Sequence, residues 1–203
     1  TLFALVYVLI EAPSKDWTNP GTVAVLAVAA LGFIAFLAYE SRRHDPFIDL
    51  HFFRSIPFAS ATVIAVCTFA AYGAFLFMMS LYLQGYRGYS AMHTGLLYLP
   101  LAIGALIFSP LSGRLVGRFG GRPSLIAAGV LVTSATIMMS FMTAATPVWQ
   151  LIAIFAVFGV GFSMVNAPIT TAAVSGMPLD RAGAASAVAS TSRQVGVSLG
   201  VAL

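Results

Sequence analysis

Arg193 is the one charged residue inside the long apolar runs of this sequence. A guanidinium at the centre of a bilayer costs ~2.5–3.5 kcal/mol, so such a group faces a cavity, a partner or neighbouring backbone carbonyls. Counted from Ala184, Arg193 lies about nine residues in, or ~14 Å along a helix, close to the midplane. Two readings stand for it: a cavity-facing functional cation, or a structural arginine bonded to carbonyls of an adjacent helix. Gln194, about 100° further around the helix, shares both. Thr68, Tyr72, Phe75 and Met79 recur at intervals of four, three and four and so occupy one face of a helix. Aromatic and methionine surface with a few hydroxyls suits flat apolar cations, although the same stripe serves ordinary packing. Gln84 closes the end of that run, at an exit or simply at the interface. Asn166 stands two residues before Pro168, in an apolar stretch whose backbone the proline loosens. It serves either an interhelical hydrogen bond or substrate contact.

Other chemistries lack their residues. The six carboxylates, Glu11, Asp16, Glu40, Asp45, Asp49 and Asp180, all lie in loops or at their edges. Nowhere does Gly-x-x-x-x-Gly-Lys-Ser/Thr, His-Glu-x-x-His or Gly-x-Ser-x-Gly occur, which disfavours nucleotide binding through a P-loop, metalloproteolysis and lipase chemistry. The lone Cys67 rules out an internal disulfide framework and a multi-cysteine metal site. His44, His51 and His93 fall in loops or at helix ends and read as solvated loop residues. No cofactor, metal or catalytic group is expected.

The elements that position these residues follow from charge and hydropathy. Of 203 residues, 60% are hydrophobic and only 8% charged, with mean hydropathy +0.95. Soluble domains carry ~25% charged residues, so the composition disfavours a soluble enzyme, a nucleic-acid-binding domain and a disordered tail alike. Charge-free runs over 21–39, 57–83, 94–113 and 123–179 have spanning length, the last being long enough for two crossings with a break at Thr143–Pro147. A further run, 182–203, is interrupted only by Arg193. No stretch alternates as a barrel strand must, so these are helices. The count is five full crossings with a partial one at each end. The opening run Leu2–Ile10 lacks the flanks of a signal peptide, and both ends read as cuts through helices. Ser90 suits a helix N-cap, Pro178 a first helical position with Asp180 in its first turn, and 47–53 a short interfacial helix. Pairs such as Gly196 and Gly200 have the spacing of close helix packing.

Alternation of sides puts Arg42, Arg43, Arg54, Arg114, Arg118, Arg122 and Arg181 together, against Lys15 and Arg87 opposite. Seven basic residues against two place the richer side in the cytoplasm. The pI near 9.6 is thus a topology signal, not a nucleic-acid one.

Gly113-Arg-Leu-Val-Gly-Arg-Phe-Gly-Gly-Arg122 reads as a tight cytoplasmic loop, with glycines to turn and arginines to meet helix-end carbonyls. It resembles the helix 2–3 loop of the major facilitator superfamily, Gly-x-x-x-Asp-Arg-x-Gly-Arg-Arg. Gly113, Arg118, Gly120 and Arg122 match, Arg114 adds a further basic residue, and Gly117 stands where the acidic residue belongs. Leu81-Tyr-Leu-Gln84 with Gly88-Tyr-Ser90 and Gly95–Pro100 is similar to the fourteen-helix drug:proton antiporter branch. So are Asp45–Leu50 ahead of Phe52-Phe-Arg54, and Ala182–Ser186 leading to Thr191–Gly196.

The resemblance implies an all-α polytopic membrane fold. Residues 1–40 would hold the extra helix pair, 41–56 a cytoplasmic linker, and 57–203 the first five helices of the C-terminal six-helix domain. It implies proton-coupled efflux of small amphipathic drugs by alternating access in the plasma membrane. The partners would be lipid, substrate, protons and an N-terminal domain that carries the coupling carboxylate. By the same likeness the spans 57–83, 94–113, 148–171 and 183–203 line the cavity, while 123–143 faces lipid. A facilitator for another solute shares these features, since fold does not fix substrate. A membrane enzyme or a structural membrane protein is the alternative of a different class.

Overall fold

Peptide groups in hydrocarbon need internal partners, which leaves the helix as the solution for isolated apolar runs of this length. The computed structural model describes residues 20–41, 55–175 and 182–202, and among these every regular element is helical. The elements are α1 (Pro20–Ser41), α2 (Ile56–Ser80) continued by a π-helical turn (Leu81–Tyr86), α3 (Ala91–Leu97), α4 (Leu99–Phe119), α5 (Gly121–Ser140), α6 (Val148–Val174) and α7 (Ala182–Ala202). Among the described residues, four segments are long and apolar enough to cross a membrane: Ile56–Tyr86, Ala91–Phe119, Gly121–Ser140 and Val148–Val174. The 22-residue α1 covers the run expected at 21–39. Residues 1–19, the linker around 42–54 and the segment holding Pro178, Asp180 and Arg181 lie outside the described residues, as do the expectations for them.

Several boundaries follow from single residues. Ser90 caps α3 as expected, its hydroxyl accepting from the His93 amide at 3.2 Å. The chain then breaks at Tyr98 and restarts at Leu99, because Pro100 in the new first turn has no amide to offer. The expected break near Thr143–Pro147 is present: α5 ends at Ser140, α6 begins at Val148, and the Thr143 amide donates to Thr146 Oγ1 at 2.7 Å.

The loop expected over 113–122 needs correction. Helix α4 runs through Gly113, Arg114 and Arg118 to Phe119, and α5 already includes Arg122. Only Gly120 leaves the helical conformation, at φ 78°, a left-handed region that costs glycine nothing. One residue therefore suffices for the turn, and its amide closes onto the Val116 carbonyl at 2.9 Å. Arg118 then sits at a helix C-terminus, where a cation complements the dipole.

Two compact units divide the chain, Thr1–Ala74 with Val174–Leu203, and Phe75–Ala173. In the first, the middle turns of α2, Val66 to Gly73, meet α7 along a seam of glycines. A Cβ on Gly73 would lie 2.5 Å from the Val197 carbonyl oxygen, one on Gly196 2.6 Å from that of Val66, and one on Gly200 would overlap the Ala70 carbonyl. In the second, α6 is the most buried span and α5 the least. Helices α4 and α5 close onto α6 through Gly159, whose Cβ would meet Leu101 oxygen at 2.5 Å, and Gly161, whose Cβ would meet Leu131 Cβ at 2.8 Å. With no hydrophobic drive between helices in lipid, such close approach is what dispersion needs to hold them.

Candidate functional site

Within the unit formed by Phe75–Ala173, an aromatic cluster gathers around α6. Phe155, Phe158 and Phe162 recur at three- and four-residue spacing and so share one face. Phe75 stacks on Phe158 with centroids 3.9 Å apart and meets Phe155 edge-on at 5.5 Å. Tyr98 meets Phe155 edge-on at 4.8 Å, donates its hydroxyl to the Leu76 carbonyl at 3.0 Å, and lies 3.2 Å from Ser80 Oγ. Such ring pairs contribute ~0.5–1.5 kcal/mol each beyond burial. Phe75 and Met79, two members of the sequence-derived stripe, are both buried here. Thr68 and Tyr72, the other two, are half-buried in the other compact unit. Gln84 is exposed on the π-helical turn.

That π-helical turn feeds a polar clasp. Arg87 donates through Nη1 to the Thr146 carbonyl and, at 3.4 Å, to Tyr82 Oη, and through Nη2 to Tyr89 Oη at 2.9 Å. Its guanidinium lies 5.2 Å from the Tyr89 ring centroid and 5.9 Å from that of Tyr82. Tyr82 in turn donates to the Thr143 carbonyl at 2.6 Å. Two loops that the sequence places on one side, 87–90 and 141–147, are thereby tied together. The hydrogen bond to Tyr82 holds the Arg87 pKa above its ordinary value, so the cation is permanent.

Toward the other end of the same unit, the Met164 carbonyl accepts from Ser112 Oγ at 3.0 Å and from Ser124 Oγ at 2.8 Å, and the two hydroxyls lie 2.8 Å apart. Both serines are fully buried. Asn166, half-buried, donates to Phe162 oxygen of its own helix at 3.4 Å, so this bond is intrahelical.

In the other unit, Arg193 is half-buried on α7, its guanidinium carbon 5.7 Å from the Phe69 ring centroid. Phe69 also meets Tyr72 edge-on at 6.4 Å. Gln194 is exposed. Gly113, Arg114, Arg118, Gly120 and Arg122 are all exposed around the α4–α5 turn. The structure thus brings Phe75 into an aromatic core and Arg193 onto an aromatic face, and it leaves Gln84 and Gln194 open. Sequence reasoning missed Tyr82, Arg87, Tyr89, Ser112 and Ser124. A signal existed for the serines alone: Pro168 withholds an amide from the carbonyl four residues earlier, and that carbonyl has to find donors elsewhere.

Residues 1–201 match the family model described as Major Facilitator Superfamily. The chain is 37% identical to the multidrug resistance protein Stp of Mycobacterium tuberculosis, across 98% of this chain and 37% of that protein. It is 35% identical to the tetracenomycin C resistance and export protein of Streptomyces glaucescens, across 100% of this chain and 38% of the relative. It is 31% identical to a puromycin resistance protein of Streptomyces alboniger, across 100% of this chain and 41% of the relative. The chain therefore spans well under half the length of the curated relatives it matches.

Proposed function

The chain belongs to the Major Facilitator Superfamily, a family of multi-pass membrane transporters rather than enzymes, and on that premise we propose that it is part of an exporter of small amphipathic drugs. The observation that carries this reading is the match to resistance proteins across nearly the whole chain, one of them named for export. In this reading residues 57–203 belong to a C-terminal helical domain, 41–56 to a cytoplasmic linker and 1–40 to an extra helix pair. An N-terminal domain supplies the opposite wall of a midplane site, and the two alternate access across the plasma membrane. Protons drive the cycle through a carboxylate of that domain, because all six carboxylates here sit outside the apolar runs. Aromatic surface and the Arg193 and Asn166 positions are the contributions this chain makes to the pathway.

The test is efflux of a fluorescent amphipathic cation from cells expressing the complete transporter. Extrusion should exceed the empty-vector control and stop when a protonophore dissipates the gradient. Extrusion that persists without the gradient would replace proton coupling with a facilitator for another driving force or solute. The topology has its own check, in a Cys67→Ala background: impermeant thiol reagents should tag Arg87→Cys from outside intact cells and spare Arg114→Cys.

A further inference from the structure

We propose that Ser112 and Ser124 are positioning residues that take the place of the amide missing at Pro168, and that they make this point of α6 a hydrogen-bonded pivot. In an uninterrupted helix the Met164 carbonyl would accept from the amide of residue 168. Proline has no such amide and its ring crowds that carbonyl, so the acceptor is orphaned in a buried setting. Two hydroxyls from two other helices, Ser112 on α4 and Ser124 on α5, reach it at 3.0 and 2.8 Å. They also lie 2.8 Å from each other, so two protons serve three oxygen-to-oxygen contacts. An amide points in one fixed direction, whereas a hydroxyl rotates about its C–O bond. Either serine can donate to the carbonyl while the other donates to it or to the carbonyl as well. The helix could therefore flex at the proline without stranding the acceptor.

The surroundings are divided in the same way. Before the proline, α6 is pinned by backbone approach: Gly159 against Leu101, Gly104 of α4 against Val160 at 3.2 Å, and Gly161 against Leu131 and Val132. After Pro168 no glycine remains on the helix, and the nearest close approach is Gly121, whose Cβ would lie 3.2 Å from Pro168 Cβ at the start of α5. Helix α6 is thus held by glycine contacts up to Gly161, and at Met164, one turn before the proline, through rotatable hydroxyls instead. Asn166 lies between the Met164 carbonyl and Pro168. The pivot's role in transport rests on the exporter reading, but the hydroxyl-for-amide exchange does not.

The experiment compares variants of the complete transporter by folded abundance, read by fluorescence-detected size exclusion of a tagged protein, and by transport per folded molecule. Ser112→Ala and Ser124→Ala should each keep at least about half of the wild-type abundance, because one donor remains on the carbonyl. The double variant should fall to about a fifth or less, since a buried acceptor is then unpaired. Adding Pro168→Ala restores the amide and should return the protein to about half of wild type or better. Pro168→Ala alone should fold normally yet transport about tenfold more slowly per molecule, the pivot replaced by a fixed amide bond. A double variant as abundant as wild type, or a triple variant as depleted as the double, overturns the exchange. Loss of folded protein in Pro168→Ala alone overturns it too. Full transport by Pro168→Ala overturns the pivot, while a wild-type protein that exports nothing sinks the exporter reading and leaves the abundance comparison standing.

Discussion

Both compact units bring helices together at glycines, but only the one formed by Phe75–Ala173 adds a polar latch to the glycine contacts. In one, α2 and α7 meet through Gly73, Gly196 and Gly200, with backbone against backbone. In the other, the defects of the helices themselves, a proline in α6 and a π-helical turn after α2, are accompanied by side-chain hydroxyls and a guanidinium from neighbouring elements. A glycine seam forbids added volume and asks nothing of polarity. A hydroxyl latch tolerates a small change of volume but not the loss of both its donors. The same sequence thus contains a seam that responds to size alone and a unit that responds both to size, at Gly159 and Gly161, and to hydrogen-bonding capacity.

The sharpest way to break that contrast is to add volume at the seam. A Cβ on Gly200 would occupy the Ala70 carbonyl, so Gly200→Leu must push the helices apart. Overpacking by far less costs ~1–3 kcal/mol. We expect no monodisperse folded protein in detergent from Gly200→Leu. Gly183→Ala on the same helix meets nothing within 4 Å and should hold or raise abundance, by up to ~1 kcal/mol of helix propensity. Equal behaviour of the two variants would dissolve the seam.

Next in size is the aromatic cluster. Phe75→Ala removes a buried ring that stacks on Phe158 and abuts Phe155, a change worth ~3–5 kcal/mol in well-packed cores. Thermal unfolding followed by tryptophan fluorescence should show a clear drop in midpoint, and Phe75→Leu a smaller one. If Phe75 instead lines an open drug site, the midpoint will hold while substrate affinity falls, and the packed cluster is then the wrong description.

Much of this arrangement was legible beforehand. Charge-free runs gave the crossings because lipid allows few other solutions, and Thr143–Pro147 gave the break because proline and small polar residues end a helix there. The family resemblance reached the whole chain. The 113–122 loop was misread, since a cluster of glycines and arginines looks like a loop while a single glycine at φ 78° makes the turn and leaves the rest helical. Tertiary partners were the least legible. Nothing in the spacing of Ser112 and Ser124 names Met164, and nothing in the run Tyr82–Tyr89 names the carbonyls of Thr143 and Thr146. Those contacts depend on how helices distant in sequence are brought together, which hydropathy does not encode.

A smaller effect is expected at Arg193, where the face of Phe69 lies beneath the guanidinium. Arg193→Lys keeps the charge and loses the planar fork that stacks on a ring, an interaction of ~0.5–2 kcal/mol. If the residue serves the pathway, transport per folded molecule should fall severalfold in Arg193→Lys and vanish in Arg193→Ala. If it serves the seam, abundance and transport will fall in step for both. Unchanged specific activity in Arg193→Ala would remove it from the pathway.

The smallest effect should come from the clasp, and its form is as informative as its size. Arg87→Gln loses the charge, the contacts to the Tyr82 and Tyr89 rings and most of the donors that reach Thr146, Tyr82 and Tyr89. Solvent screening at a loop reduces such charged hydrogen bonds to ~0.5–1 kcal/mol. Faster hydrogen exchange confined to residues 87–90 and 141–147 is the expected signature, with the transmembrane portions unaffected. The pH dependence follows from the raised pKa. A base whose folded-state pKa lies above its unfolded value contributes stability below the unfolded pKa and loses it only as pH rises through the folded one. Arginine already titrates far above the physiological range and Arg87 higher still, so the difference between wild type and Arg87→Gln should stay constant from about pH 5 to 9. Had the two loops been joined by a histidine or a carboxylate, that difference would vanish at one end of the range. A difference that varies across it would mean the loops are held by groups other than Arg87.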